Sequence, residues 1–245
     1  MIHLRLRRDV GDMPRGTFTV VRSTVRWELA RAFGLLLGLA GCPDAVREED
    51  GLLTGTRALG GVGPVDLTTE GSLDWVHWGL GGVSSVNRKD AVTPQIDAAL
   101  GVVGMASGLQ SVDCCIEPFS WSDGTPTAAV SDVIEGIFVD SANPSGDGLA
   151  LTVAAGDSER TLQLYVGAWC ARTRLEARLG DGSAEPYVDT SLDAPMGATQ
   201  TARYTITFRA ASPQQSLHVE LTVDDNHCTT DDVGEVWLFA AALHE

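Results

Sequence analysis

Few stretches of this sequence bring together residue types that could do chemistry. In Asp74-Trp75-Val76-His77-Trp78-Gly79 two indoles flank an imidazole. Side chains alternate along an extended strand, so Trp75 and His77 share one face and Val76 and Trp78 the other. Two uses fit this pattern. A Trp anchors a core while His77 satisfies a buried carbonyl or carboxylate, or an aromatic stacks on the apolar face of a sugar while polar neighbours fix its hydroxyls. Trp121, in Trp121-Ser122-Asp123-Gly124-Thr125, precedes a turn and is expected at a loop tip, which makes it the better platform. Asp123-Gly124 reads as a plain turn or as a ligand-binding carboxylate. Tyr187 and Asp189 read as a structural pair or as part of a binding rim. The candidate binding set is therefore Trp121, His77, Asp123, Tyr187 and Asp189.

Asp224, Asp225 and Asp231 place carboxylates close together, beside Asn226, His227 and Asp232. Calcium takes six to eight oxygens, and a structural Ca²⁺ is the cofactor such a cluster would take, but the spacing matches no EF-hand loop. The alternative is a solvated hairpin tip. Cys114, Cys115, Cys170 and Cys228 suit disulfides in an oxidising compartment. Three pairings exist on paper. A vicinal bond needs a strained ring, so Cys114 and Cys115 are expected to pair away, with Cys170 and Cys228. Metal binding by these cysteines is disfavoured, because no CxxC pair is present. The sequence has no nucleophile elbow, Walker loop, HExxH or Rossmann glycine pattern. Dispersed Ser–His–Asp or paired-carboxylate sites leave no local trace, so a hydrolase remains a third reading.

The first part of the chain carries an export pattern. Phe33–Ala40 reads FGLLLGLA behind Arg22, Arg26 and Arg31. This apolar run is far short of the ~20 residues that span a bilayer, and it fits the h-region of a signal peptide. It ends in Leu39-Ala40-Gly41-Cys42, which resembles the bacterial lipobox. The resemblance implies lipidation of Cys42 and cleavage ahead of it. On that expectation residues 1–41 are a signal peptide, residues 42–62 a flexible acidic, Gly-rich tether, and the product an exported protein lipid-anchored to the cell envelope. The membrane is then a partner through the lipid on Cys42.

Charge is divided along the same boundary. Residues 1–41 hold seven arginines and three acids, a net +4, whereas residues 42–245 hold ten basic and thirty acidic residues, a net −20. A surface that acidic repels phosphate backbones, and without a basic patch nucleic acid is excluded as a partner.

The elements that must position these residues are strands. Leu162, Leu164 and Val166 alternate with Gln163 and Tyr165, and Leu175, Ala177 and Leu179 alternate with Arg174, Glu176 and Arg178. Tyr204, Ile206 and Phe208, then Leu217, Val219, Leu221 and Val223, continue the period of two. Such strands bury one face and wet the other, as in antiparallel sheets. Val236–Leu243 is apolar on both faces and reads as a central strand. Further strands are expected near Val65–Thr69, Asp74–Leu80, Pro118–Ser122, Val133–Val139 and Leu149–Ala154, whereas Asp97–Leu109 reads as a short helix or a small-residue loop. Hydrophobic residues make up 44% of the chain, enough for a substantial core. The expected fold is all-β, one antiparallel β-sandwich or jelly roll over residues 63–245.

Several motifs in this order carry a family resemblance. Val65-Asp66-Leu67-Thr68-Thr69-Glu70-Gly71, the Asp74–Gly79 motif, Phe119-Ser120-Trp121-Ser122-Asp123-Gly124-Thr125-Pro126-Thr127 and Leu164-Tyr165-Val166-Gly167 resemble a β-sandwich module of large bacterial extracellular proteins. The resemblance implies a galactose-binding-like jelly roll used as a non-catalytic accessory, and it assigns no catalytic residue. Three functions follow: a surface-anchored module binding carbohydrate, a structural or protein-interaction envelope lipoprotein, and a hydrolase. The corresponding partners are a glycan or a surface protein.

Overall fold

The computed structural model describes residues 51–60, 63–106, 108–141, 145–229 and 233–245, all within the compact unit that spans residues 47–245. Cys42 and Asp231 lie outside the described residues. In chain order the first elements are β1 (Leu52–Leu59), β2 (Val65–Asp66), the one-turn α1 (Leu67–Glu70), β3 (Asp74–Trp78), β4 (Val86–Lys89) and β5 (Gly101–Val103). There follow β6 (Gln110–Val112), β7 (Phe119–Trp121), β8 (Gly124–Thr125), β9 (Val130–Val133), β10 (Gly136–Asp140) and β11 (Gly148–Ala155). The long strands come last: β12 (Arg160–Trp169), β13 (Ala171–Leu179), β14 (Tyr187–Asp189), β15 (Thr199–Arg209), β16 (Gln215–Asn226) and β17 (Glu235–His244).

These strands form an all-β antiparallel sandwich with a third, smaller layer. The nine-stranded sheet runs β1-β15-β12-β17-β3-β4-β8, with β10 pairing β17 end-on to β3 and β6 pairing β10. The five-stranded sheet runs β14-β13-β16-β11-β5. Between them lies an aliphatic core in which Leu162, Leu164 and Val166 of β12 meet Leu175, Ala177 and Leu179 of β13 and Leu217, Val219 and Leu221 of β16. The alternation read in the sequence is the alternation of this interface. Burying one such leucine contributes about 1.5–3 kcal/mol.

β17 is apolar on both faces because the nine-stranded sheet is covered on both. Val236, Leu238, Ala241 and Leu243 face the aliphatic core, whereas Trp237, Phe239, Ala240 and Ala242 face an aromatic cluster. The register with β12 slips between Tyr165 and Val166, which leaves Phe239 unpaired and allows the inward set to shift along the strand. The covering layer is the three-stranded sheet β2-β7-β9, in which β2 and β7 run parallel, together with α1. Asp66 caps α1 by accepting from the Thr68 N–H at 3.0 Å.

Part of the segment read as tether is structured. Leu52–Leu59 pairs with β15 along its whole length, with Leu53 opposite Phe208. Gly55 lies directly against the Tyr187 ring, a contact that any Cβ would block. Within Asp97–Leu109 the regular element is β5, paired with β11, and not a helix. No helix among the described residues is long and apolar enough to cross a membrane.

Candidate functional site

The chemistry-bearing residues divide into an aromatic cluster inside the protein and a polar cleft at its surface. The aromatic cluster contains most of what the sequence singled out. Trp75 and His77 do share one face of β3, and that face packs under the small sheet. Trp121 is not a loop-tip platform. It is 3% exposed, because β7 is held between β2 and β9 and its ring lies 5.1 Å from Trp75 and 5.2 Å from His77. Its indole Nε1 donates to the Thr127 carbonyl at 2.9 Å, and Gly124 makes this approach feasible, since a Cβ there would lie 2.5 Å from that nitrogen. In this conformation no sugar can stack on it.

Asp123 fastens the loop to this cluster. It accepts from Thr68 Oγ1 (2.7 Å) and Trp75 Nε1 (2.9 Å) through one oxygen and from Lys89 Nζ through the other. Burial alone would raise its pKa, but the Lys89, Thr68 and Trp75 hydrogen bonds and the Lys89 charge hold it below the ordinary carboxylate value. His77 is fully buried, and neither ring nitrogen has a hydrogen-bond partner. Burial lowers its pKa to about 4, against a weaker opposing pull from the Glu135 backbone, which approaches the ring outside good hydrogen-bond geometry.

The remaining candidates form two pairs apart from that cluster, Tyr187 with Asp189 on β14 and Asp224 with Asp225 at the end of β16. Asp189 accepts from Tyr204 Oη at 2.8 Å and from the Ser191 N–H and hydroxyl, with Arg57 at 4.0 Å. It therefore anchors β14 to β15, and the Tyr187 ring covers Gly55 beside it. Asp224 and Asp225 each turn one oxygen to Arg172, at 2.7 and 3.8 Å. Among the described residues no three His, Cys, Asp or Glu side chains converge to hold a metal ion.

The cysteine pairing differs from the expected one. Cys114 is bonded to Cys115, and Cys170 to Cys228, a bond spanning 58 residues. Pairing of β13 with β16 sets Ala171 opposite Asn226, which brings Cys170 and Cys228 together at the strand ends. Cys114 and Cys115 lie between β6 and β7. On the chain-entropy model a bond closing about 60 residues is worth about 4 kcal/mol.

The cleft comes from residues the sequence did not single out. It has a volume of about 350 Å³ and is lined by Arg88, Gln95, Asp97, Thr152 and Ser216, over an apolar floor of Ile96 and Val153. Its keystone is Asp74, fully buried at the start of β3. Asp74 Oδ2 accepts from Arg88 Nη2 (2.8 Å), the Gln95 N–H (2.7 Å) and the Ile96 N–H (2.9 Å). The 95–97 segment is also stitched to β11, with Ala154 N–H donating to the Gln95 carbonyl at 2.7 Å and Asp97 N–H to the Thr152 carbonyl at 2.9 Å. Arg160 Nη1 donates to Gln95 Oε1 at 3.1 Å, which fixes the amide. On the opposite wall Ser216 Oγ lies 2.8 Å from His218 Nε2, and His218 Nδ1 lies 3.3 Å from Thr152 Oγ1.

This cleft offers fixed donors and acceptors of both kinds. A hydroxyl–imidazole pair is present, with the Thr152 hydroxyl rather than a carboxylate at the far ring nitrogen. Asp97 is the sole carboxylate on the cleft wall. A buried acid opening a strand, as in Asp74-Trp75-Val76, is the one local signal that could have pointed here.

No family model and no curated protein matches the chain. Among solved structures it is similar to the enzymatically active domain of tailspike protein 4 of bacteriophage CBA120, at 10% identity and a TM-score of 0.35. The likeness covers 61% of this chain and 19% of that one.

Proposed function

We propose that this chain is an exported, lipid-anchored, non-catalytic binding module whose ligand is a carbohydrate held in the Gln95 cleft. The observation that supports this reading is the cleft itself: a concave surface whose Arg88, Gln95, Thr152 and Ser216 groups are each held in place by a second hydrogen bond or strand pairing. Pre-fixed polar groups over an apolar floor suit a polyhydroxylated ring and lower the ordering cost of binding. The sequence resemblance to an extracellular accessory module points the same way. The test is a glycan array probed with the full chain. Saturable binding to one glycan class is expected, lost at least about tenfold in Gln95→Ala and Ser216→Ala with unchanged melting, a loss near 1.4 kcal/mol. Absence of binding to any glycan overturns the carbohydrate assignment.

One observation favours a second reading, a structural or protein-interaction lipoprotein of the envelope. Trp121, the residue best suited to stack on a sugar, is core. The array separates the two readings.

The anchor is part of the proposal and rests on the Arg-flanked apolar run ending in Cys42. Cys42→Ser is expected to abolish partitioning into the detergent phase. Retention of the variant in that phase would refute the anchor.

A further inference from the structure

We propose that Cys114–Cys115 is a reversible two-electron redox site, opened by an external dithiol while Cys170–Cys228 stays closed. A disulfide stabilises a fold mainly by closing a loop in the unfolded chain. Cys114 and Cys115 are adjacent, with Cα atoms 3.7 Å apart, so their bond closes no loop and contributes nothing of that kind. Cys170–Cys228 spans 58 residues and does contribute. A bond without that structural role needs another reason to be there.

The surroundings of the two bonds differ in the same sense. Cys115 is exposed and Cys114 half-buried, in the connection between β6 and β7 and outside any strand pairing. An attacking thiolate can reach Cys115 Sγ from solvent. Cys170 is 1% exposed and Cys228 half-buried, and hydrogen bonds hold both ends of their disulfide: His227 N–H donates to the Cys170 carbonyl at 2.8 Å, and Cys228 N–H donates to Asn226 Oδ1 at 2.9 Å. Exposed disulfides are the labile and regulatory ones, whereas buried ones resist reduction. Cys115 is also held at a φ of 73°, a region few non-glycine residues occupy, and it lacks the strand-end bonds that hold Cys170 at 52°.

The reaction balances as ordinary thiol–disulfide exchange. One thiolate of the dithiol attacks Cys115 Sγ, the Sγ–Sγ bond breaks, and Cys114 leaves as a thiolate that takes a proton. The second thiol of the reagent then resolves the mixed disulfide, so the protein gains two electrons and two protons and the reagent becomes a disulfide. The product is a pair of adjacent thiols on the surface, a bidentate ligand for trivalent arsenic.

The test uses the full chain, folded, titrated with dithiothreitol, quenched with iodoacetamide and read by peptide mass spectrometry. Cys114 and Cys115 are expected to be alkylated together at a dithiol concentration at least about tenfold below that labelling Cys170 and Cys228. Phenylarsine oxide added after this mild reduction should bind one per chain and block the alkylation. Replacing both residues, Cys114→Ser with Cys115→Ser, should remove arsine binding and leave melting unchanged. Simultaneous labelling of the four disulfide-bonded cysteines, or labelling of Cys170 and Cys228 first, overturns the proposal, as does a fall in melting temperature in the double variant.

Discussion

Asp74 and His77 lie on the same five-residue strand, both fully buried, and they face opposite layers of the protein. Asp74 collects three donors on Oδ2, while its buried Oδ1 has no partner, and thereby fixes Arg88 and the 95–97 segment that forms one wall of the cleft. His77 faces Trp121 and Phe119 and has no partner on either nitrogen. A buried polar group that is hydrogen-bonded can carry its position outward to a surface feature. One that is not hydrogen-bonded is a standing cost, of about 1–3 kcal/mol for each unsatisfied group. In this strand the acid organises a site and the imidazole does not.

The comparison is broken most directly at Asp74. Asp74→Ala leaves a half-buried guanidinium and two backbone N–H groups without an acceptor, and the expected loss is about 3–5 kcal/mol in urea unfolding at neutral pH. Asp74→Asn keeps one carbonyl acceptor but not the charge, and should fall between wild type and alanine. A cost under about 1 kcal/mol for the alanine variant would show that Asp74 does not hold the cleft wall.

The same contrast explains what the sequence could reveal. The period of two was legible through β13, β15 and β16, because each buries one face on an aliphatic core and wets the other or half-buries it, and through β12, because its second face, although buried, carries Gln163 and Tyr165 in place of aliphatic residues. β17 was legible as central because two layers cover it. β1 was not, since Leu53, Gly55 and Arg57 make a weak inward stripe at a sheet edge. β4 carries Asn87, Arg88 and Lys89 and is too polar to stand out. The shared face of Trp75 and His77 follows from strand geometry alone, but the burial of Trp121 depends on β2 and β9, which come from elsewhere in the chain. The cleft was invisible for the same reason. Asp74, Gln95, Thr152 and Ser216 belong to four segments that meet through sheet pairing and the Asp74 hydrogen bonds. The cysteine pairing likewise depended on the β13–β16 register, which no spacing rule supplies.

His77 sharpens the comparison through pH. Its pKa is about 4 in the folded protein and 6.5 in the unfolded chain. Above pH 6.5 the ring is neutral in both states, and its contribution does not vary. As pH falls from 6.5 towards 4 the unfolded chain takes up a proton that the buried ring refuses, so stability is lost, to a total of about 3 kcal/mol. Urea midpoints of wild type and His77→Leu between pH 7 and pH 4 measure this directly. At pH 7 the two should differ by no more than about 1–2 kcal/mol, since the leucine removes two unpaired nitrogens while changing the packing. By pH 4 the difference should move in favour of leucine by about 3 kcal/mol. Asp123, held below its ordinary pKa, also loses stability as pH falls, but it does so in both proteins and cancels from the difference. A difference that stays constant with pH would mean that His77 accepts its proton inside the fold as readily as outside. The contrast with Asp74 would then disappear, because the imidazole would have a partner or a water supply of its own.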